Sequence, residues 1–172
     1  MRRNVVLIGF MGVGKTTVGE VLASILKKRF VGTDDLVAEL AKKSIPRIFK
    51  EDGELRFREL EMKVVKQVSE EDDIVIDCGG GVVLNRLNIE RLRRKAAIVL
   101  LTASPEIILR RIRKSSVERP LLDVANQSER IRELLATRES LYKESADFEV
   151  DTTSLDKNEA AEKISSMLEY FP

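Results

Sequence analysis

The sequence predicts an α/β fold in which the strands of a parallel sheet alternate with helices. Four of five short apolar segments are followed by a helical pattern, which is typical of βα units around such a sheet. The chain has 172 residues, of which 43% are hydrophobic, so we expect a single domain over residues 1–172 with a packed core. The predicted strands are 4–9, 29–33, 73–78, 96–101 and the weaker 147–151.

Apolar residues at helical spacing predict the elements between these strands. Ser104 followed by Pro105 also marks the start of a helix over residues 105–114. The next segment, 115–127, is the least periodic long stretch of the chain, and such a loop is typically a functional flap or is disordered. Three further stretches with apolar residues at i, i+3 and i+4 are predicted to be amphipathic helices, at 17–28, 54–69 and 159–171.

The composition excludes several classes of chemistry. The chain has no histidine, which removes Ser-His-Asp and Cys-His catalysis as well as histidine-based zinc and haem sites. The single cysteine, Cys78, excludes an internal disulfide framework and suits a reducing cytoplasm. A formal net charge of +1 argues against a surface that coats nucleic acid. No apolar run approaches the roughly 20 residues of a membrane span, and we expect no signal peptide.

Residues 9–16, GFMGVGKT, match the phosphate-binding pattern GxxxxGK[ST] between a predicted strand and a predicted helix. In such a loop backbone N–H groups converge on phosphate oxygens, the lysine reaches the β- and γ-phosphates, and the threonine ligates Mg²⁺. We therefore expect the chain to bind a nucleoside triphosphate, with Lys15 catalytic and Thr16 a magnesium ligand. The expected ATP contacts in the loop are Gly12, Val13, Gly14, Lys15, Thr16 and Thr17.

The chain lacks the features of several P-loop classes. A GTPase would carry DxxG and NKxD motifs, and residues 77–80 match only the first, which is a weak pattern. A motor or a large ATPase would need a much longer chain. A small P-loop domain with a flap favours a kinase of a small metabolite.

Acidic residues and glycines follow two of the predicted strands. Asp34 and Asp35 come after the second strand, at the sheet edge where ligands of open α/β sheets gather. We favour a functional role for Asp34, whereas Asp35 is explained as a solvated residue or as the cap of a helix that begins near Leu36. Residues 79–81 are all glycine, which indicates close approach of the backbone to another group, with a tight turn as the alternative.

Three arginines are candidates for binding anions. From spacing alone Arg58 pairs with Glu54 or Glu61 on its own helix. Arg119 lies inside the predicted flap and can therefore close over a transferring phosphoryl group. Arg138 lies on the following helix and is ordinary without further context.

Taken together, these motifs resemble the shikimate kinase family. GFMGVGKTTVG, TDD, IFKEDGELRFRELE, CGGGVVL, ERPLL and ATRESLYKESADFEVDT occur in that family's order and spacing, from about Asn4 to Thr152. The resemblance implies ATP-dependent phosphorylation of the 3-hydroxyl of shikimate, on the way to chorismate and the aromatic amino acids. It also implies a three-layer P-loop kinase fold with a five-stranded parallel sheet flanked by helices, a substrate-binding helical region at about 34–61 and a mobile lid at about 113–126.

The same resemblance implies roles for individual residues. Asp34 would hydrogen-bond the ring hydroxyls and orient the attacking proton, and Arg119 would contact both the nucleotide and the substrate. Arg111 would lie against adenine, with Arg110 as the alternative. The implied substrate-binding residues are Asp34, the carboxylate clamp of Arg58 and Arg138, and the glycines Gly79, Gly80 and Gly81.

One position departs from the family pattern. Shikimate kinases usually carry D-T-D, whose first carboxylate helps to hold hydrated Mg²⁺, whereas this chain has Gly32 at that point. Asp77 ends the third predicted strand, where the family commonly has a small or uncharged residue. We hypothesise that Asp77 substitutes for the missing carboxylate as a metal-site residue. The alternative is that Asp77 is a turn residue and that Thr16 and the phosphates suffice.

Two rival functions fit these residues less completely. A kinase of gluconate or of a nucleoside monophosphate gives no reason for Arg58, the glycines at 79–81 and Arg138 together, and a non-catalytic regulator would bind ATP without turnover. We expect ATP and shikimate as partners, Mg²⁺ as cofactor and no nucleic acid or membrane partner. We also expect a cytoplasmic monomer, since no long exposed apolar stripe remains once the core helices are assigned.

Overall fold

A computed structural model describes residues 4–171 and contains a five-stranded, entirely parallel sheet. The strand order is β2-β3-β1-β4-β5, so the order reverses beside β1, which is where open α/β sheets bind ligands. The predicted fold class is confirmed. The strands are β1 (Asn4–Ile8), β2 (Arg29–Gly32), β3 (Ile74–Asp77), β4 (Ala96–Thr102) and β5 (Phe148–Asp151).

Helices flank this sheet. The four helices predicted from periodicity and start signals are present as α1, α4, α6 and α8, and two short helices, α3 and α5, were not predicted. Seven or eight residues give too few turns for a clear apolar period. The helices are α1 (Lys15–Leu26), α2 (Thr33–Ala41), α3 (Ile45–Glu51), α4 (Gly53–Val68), α5 (Arg86–Arg93), α6 (Pro105–Lys114), α7 (Gln127–Ser145) and α8 (Lys157–Glu169).

The start of α2 differs from the prediction. Gly32 is the N-cap residue in an extended conformation, and the helix begins directly after it. The interpretation of Asp35 as the cap of a helix from Leu36 is therefore wrong, whereas the interpretation of Asp35 as a solvated residue is confirmed, because its side chain is exposed. Asp34 and Asp35 instead lie in the first turn, where negative charge is favoured by the positive end of the helix dipole.

The central strands β1 and β4 are buried and held in a fixed register, which makes them a rigid support for the loops at their ends. All five residues of β1 and the first six of β4 are buried, as expected for parallel strands that are covered on both faces. Asn4 is a buried polar residue at the start of β1. Its amide donates to the carbonyl of Glu71 (2.8 Å) and its oxygen accepts from the N–H of Ile74 (3.1 Å), which fixes the register of β1 against β3.

The segment after α6 is mostly irregular. Helix α6 continues to Lys114, so the irregular part begins at Ser115 rather than at 113, and its regular structure is a 3₁₀ turn at Pro120–Leu122. Leu122 is buried against the core, which anchors the middle of the segment. Within residues 4–171 no helix is long and apolar enough to cross a lipid bilayer.

Candidate active site

The loop after β1 has the geometry of a phosphate-binding loop. Gly14 adopts a left-handed conformation (φ 100°) that leads the chain into α1, and the loop lines a cavity of about 630 Å³, here called the nucleotide cavity. The buried ammonium of Lys15 donates to the carbonyl oxygens of Gly9 (2.9 Å) and Phe10 (3.1 Å). A phosphate oxygen is a stronger acceptor for this ammonium than a neutral carbonyl.

Two aspartates lie close to the Lys15 ammonium. Asp77, at the end of β3, accepts a hydrogen bond of 2.6 Å from the hydroxyl of Thr16, and Asp34 faces the cavity from the first turn of α2. Burial lowers the pKa of Lys15, and the negative charges of Asp77 and Asp34 oppose this change. Burial also raises the pKa of both aspartates, and the charge of Lys15 opposes that rise. The Asp34 side chain is exposed and lines the cavity.

The consecutive glycines leave room for charged side chains. A β-carbon on Gly79 would lie 2.6 Å from Oδ1 of Asp34, and one on Gly81 would overlap the guanidinium group of Arg58. The segment is also a tight turn, since the N–H of Val82 donates to the carbonyl of Gly79 at 3.0 Å. Both interpretations of these glycines therefore hold, and at Gly79 and Gly81 the absence of a side chain lets Asp34 and Arg58 approach the backbone closely.

Arg58 is held by two carboxylates of its own helix, α4. Its guanidinium donates to Glu61 (3.0 and 3.2 Å) and to Glu54 (3.2 Å), which are the pairs that helical spacing indicated. Glu61 is only 1% exposed, and burial raises its pKa while the Arg58 charge opposes the rise. Nε of Arg58 is buried and has no hydrogen-bond partner among the described residues, so it remains available to a ligand.

Arg138 reaches the same region from α7. Its side chain is buried, and its guanidinium donates to the carbonyl of Gly80 at 3.4 Å. The hydroxyl of Tyr142, one helical turn further on, donates to the same carbonyl. No carboxylate among residues 4–171 forms an ion pair with Arg138. A buried cation in these surroundings is costly unless an anion binds to it.

The nucleotide cavity adjoins a second cavity of about 550 Å³, here called the acceptor cavity, which is lined by Arg58 and Arg138. Asp34, Gly79, Gly80 and Arg119 line both cavities. Arg119 enters from the irregular segment, and its buried Nε also has no partner among the described residues. A group bound to the phosphate loop and one bound to Arg58 and Arg138 would therefore meet beside Asp34 and Arg119.

Arg111 lies at the opposite end of the nucleotide cavity. Its guanidinium donates to the carbonyl of Val13 (3.2 Å) and to the hydroxyl (3.0 Å) and carbonyl (2.7 Å) of Thr152. The Thr152 hydroxyl in turn donates to Val13 at 2.8 Å, so the end of β5 is tied to the phosphate loop. Arg110 is exposed, so of the two candidates only Arg111 lines this cavity.

Cys78 is fully buried directly after β3. Burial raises the pKa of its thiol well above the usual value, so a thiolate is disfavoured. Nothing in this environment supports a nucleophilic role for the residue.

Comparison with known proteins decides which P-loop kinases the chain is related to. A family model for shikimate kinase matches residues 11–169. The chain belongs to the shikimate kinase family. The shikimate kinase of Caldanaerobacter subterraneus subsp. tengcongensis is 47% identical over 162 residues, which cover 94% of each protein.

Solved shikimate kinase structures have the same fold. The enzyme from Acinetobacter baumannii, in complex with shikimate, superposes with a TM-score of 0.94 at 32% identity and covers 99% of this chain and 96% of its own. The enzyme from Bacteroides thetaiotaomicron gives a TM-score of 0.90 at 29% identity, covering 97% and 98%. The predicted family, P-loop kinase fold and enzyme class are confirmed.

Three residues of this kinase site were not assigned roles from the sequence. Spacing identifies Glu61 only as a helical partner of Arg58, and it gives no site role to Tyr142 or Thr152. Tyr142 follows Arg138 by four residues, so the two share a helix face, and this spacing was the available signal. Thr152 has no local signal, because its partner Val13 is 139 residues away.

Proposed function

We propose that this chain transfers the γ-phosphoryl group of ATP to the 3-hydroxyl of shikimate, a step towards chorismate and the aromatic amino acids. The observation that carries the proposal is the pair of arginines in the acceptor cavity, Arg58 and Arg138, with free or weakly used donors. A guanidinium binds the plane of a carboxylate in a bidentate manner, and shikimate is a small carboxylate. Family membership supports the same substrate.

The ring of the acceptor would lie against the glycine turn. With the carboxylate on Arg58 and Arg138, the hydroxyls on the opposite side of the ring point towards Asp34 and the nucleotide cavity. Gly79, Gly80 and Gly81 then offer a backbone surface with no side chains in the way. Asp34 is the carboxylate that accepts from the ring hydroxyls in this arrangement.

The chemical step needs positioning and neutralisation of charge more than covalent help. A bond forms between the shikimate 3-oxygen and the γ-phosphorus while the bond from that phosphorus to the β–γ bridging oxygen breaks and ADP departs. The hydroxyl proton passes to Asp34 or to water. Lys15 and Arg119 hold the phosphate oxygens on which negative charge accumulates, while Arg111 supports the adenine end of the nucleotide.

The residues around Thr16 fit a magnesium ion. The Thr16 hydroxyl and the Asp77 carboxylate are hard oxygen groups 2.6 Å apart, which suit a hydrated Mg²⁺. Among residues 4–171 no group of three or more acidic, histidine or cysteine side chains forms a protein cage for a metal, so Thr16, phosphates and water would supply the ligands and Asp77 would accept from the water. When bound, the ion neutralises charge on the β- and γ-phosphates.

We further propose that residues 115–126 form a lid that closes over both substrates and brings Arg119 to the phosphates. The segment has little regular structure, and Arg119 has a donor without a partner. We place the enzyme in the cytoplasm. We also propose that it is a monomer, and sedimentation equilibrium of the purified chain would test this oligomeric state.

An ADP-release assay with shikimate, gluconate and nucleoside monophosphates in parallel tests the proposal. Shikimate alone should support turnover, and the product should be a phosphate monoester at the 3-position by phosphorus NMR. Turnover with another acceptor in preference to shikimate, or ATP binding with no turnover at all, would contradict it.

Two variants of α4 form a matched pair for the same assay. Arg58→Ala should raise the shikimate KM about 10- to 100-fold, because a charged hydrogen bond is worth about 1.5–3 kcal/mol. Arg56→Ala should leave it unchanged, since Arg56 pairs with Glu59 on the exposed surface. An unchanged KM in Arg58→Ala would refute the carboxylate assignment.

A further inference from the structure

The carboxylate of Asp35 lies over Gly32, at the end of β2. A β-carbon on Gly32 would lie 2.8 Å from Oδ2 of Asp35, so this carboxylate occupies the space of the missing side chain at residue 32. Gly32 has an extended backbone (φ −94°, ψ 123°) that any residue can adopt. Glycine at this position is therefore explained by the room it leaves for Asp35.

The Asp35 carboxylate lies on the face of the sheet that packs against α1. Phe30 and Gly32 alternate with Val31 along β2 and so point to the same face. The ring of Phe30 lies 2.7 Å from where a β-carbon on Gly19 would be, and Gly19 belongs to α1. Asp35 thus covers β2 on the side of α1, the helix whose first turn carries Thr16.

Asp77 is on the neighbouring strand at the same level. Gly32 pairs with Asp77 in the register of β2 and β3, and Asp77 accepts the hydrogen bond from Thr16. Burial raises the pKa of Asp77, and the negative charge of Asp35 adds to this effect, as expected for neighbouring carboxylates. Asp35 and Asp77 are therefore neighbouring carboxylates on two different elements: Asp77 lines the nucleotide cavity beside Thr16, and Asp35 lies at the edge of the adjoining acceptor cavity.

Asp35 is exposed in the first turn of α2, where its charge is favoured by the helix dipole, and no group in the described part of the protein binds its carboxylate oxygens. The N-cap of α2 is Gly32, and the Asp35 carboxylate forms neither a hydrogen bond nor an ion pair with any group in residues 4–171. A bound triphosphate would add further negative charge near Asp35 and Asp77, and the Lys15 ammonium is already shared with Asp34. A divalent cation between the phosphates and these carboxylates would relieve this repulsion.

We propose that Asp35 and Asp77 together hold the water shell of Mg²⁺, with Asp35 reaching it from α2 across Gly32 and Asp77 from β3. Mg²⁺ keeps several waters when it is bound to phosphates, and those waters need acceptors that fix their orientation. Asp35 is a positioning residue in this arrangement, because it acts through water and not on the reacting atoms. The inference rests on the proposed use of ATP with magnesium, but not on the identity of the acceptor.

The test is the affinity of the intact protein for ADP, measured by calorimetry with saturating Mg²⁺ and with EDTA. In Asp35→Ala, binding without magnesium should become tighter, because a repelling charge is gone. The gain in affinity that Mg²⁺ provides should fall about tenfold, as is typical for loss of an outer-shell partner. Manganese binding in the ADP complex, followed by electron paramagnetic resonance, should weaken in parallel. Glu39→Ala, an exposed acidic residue on the same helix, is the matched control and should change neither quantity.

A second variant moves the carboxylate back to the strand. Gly32→Asp in the Asp35→Ala background has room for its side chain and should restore most of the magnesium effect. The proposal is overturned if Asp35→Ala leaves the magnesium effect unchanged, lowers ADP affinity equally with and without the ion, or alters only the shikimate KM. If shikimate is not phosphorylated but the two ADP affinities still shift in opposite directions, the proposed acceptor fails and this inference stands.

Discussion

Replacing Gly81 by alanine should separate acceptor binding from nucleotide binding. The new methyl group would overlap the guanidinium of Arg58, which must then swing away and break its bonds to Glu61 and Glu54. The displaced atoms are the end of a flexible side chain and not backbone, so the fold should survive the change. The variant should therefore lose affinity for the acceptor and keep its affinity for the nucleotide.

The size of the effect follows from the contacts that Arg58 would make. Losing one or two charged hydrogen bonds to a carboxylate costs about 1.5–3 kcal/mol each, so the shikimate KM should rise at least about tenfold. Leaving Glu61 buried without its partner should also lower the Tm by a few degrees.

Steady-state kinetics with varied shikimate, together with ADP calorimetry, form the assay. The KM for shikimate should rise while ADP affinity stays within about twofold of the parent. Gly79→Ala is the informative neighbour, because its methyl group meets Asp34 instead of Arg58 and should lower kcat. An unchanged shikimate KM in Gly81→Ala, with Tm preserved, would refute the reasoning.

Three further predictions address other parts of the site. Arg138→Ala should weaken shikimate binding strongly and leave ADP binding intact. Arg132→Ala on the same helix, whose partner Glu106 is on the surface, should change neither affinity, and the shikimate KM and ADP affinity of the two variants test this. Hydrogen exchange should show residues 115–126 poorly protected without ligand and protected in the ternary complex, and equal protection in both states would argue against a lid. Because burial raises the pKa of the Cys78 thiol, iodoacetamide at pH 8 should label the native protein far more slowly than the unfolded one, and equal rates would contradict that burial.

Features that depend on a short stretch of sequence were predictable. The phosphate loop is a local pattern between a strand and a helix. The central strands β1, β3 and β4 are mainly apolar because they are covered on both faces, whereas the edge strands β2 and β5 contain charged, exposed residues. The resemblance to shikimate kinases also drew on local motifs. These sufficed for the fold class and for the enzyme class.

Features that depend on convergence of distant segments were not predictable. Spacing showed that Arg58 can pair with Glu61, but not that the pair is buried against Gly81 in the acceptor cavity. In the same way, the position of Asp35 over Gly32 depends on α2 starting directly after β2. Helix boundaries are set by one or two residues, and a sequence pattern does not resolve them.

The bond between Thr152 and Val13 has a consequence for synthesis of the protein. Chains emerge from the ribosome N-terminus first, so the phosphate loop is made early and its support at the end of β5 is made almost last. A partly made chain has the nucleotide motif but lacks the strand that holds Arg111 and the loop together. We therefore expect ATP to bind at full strength only once β5 has been made.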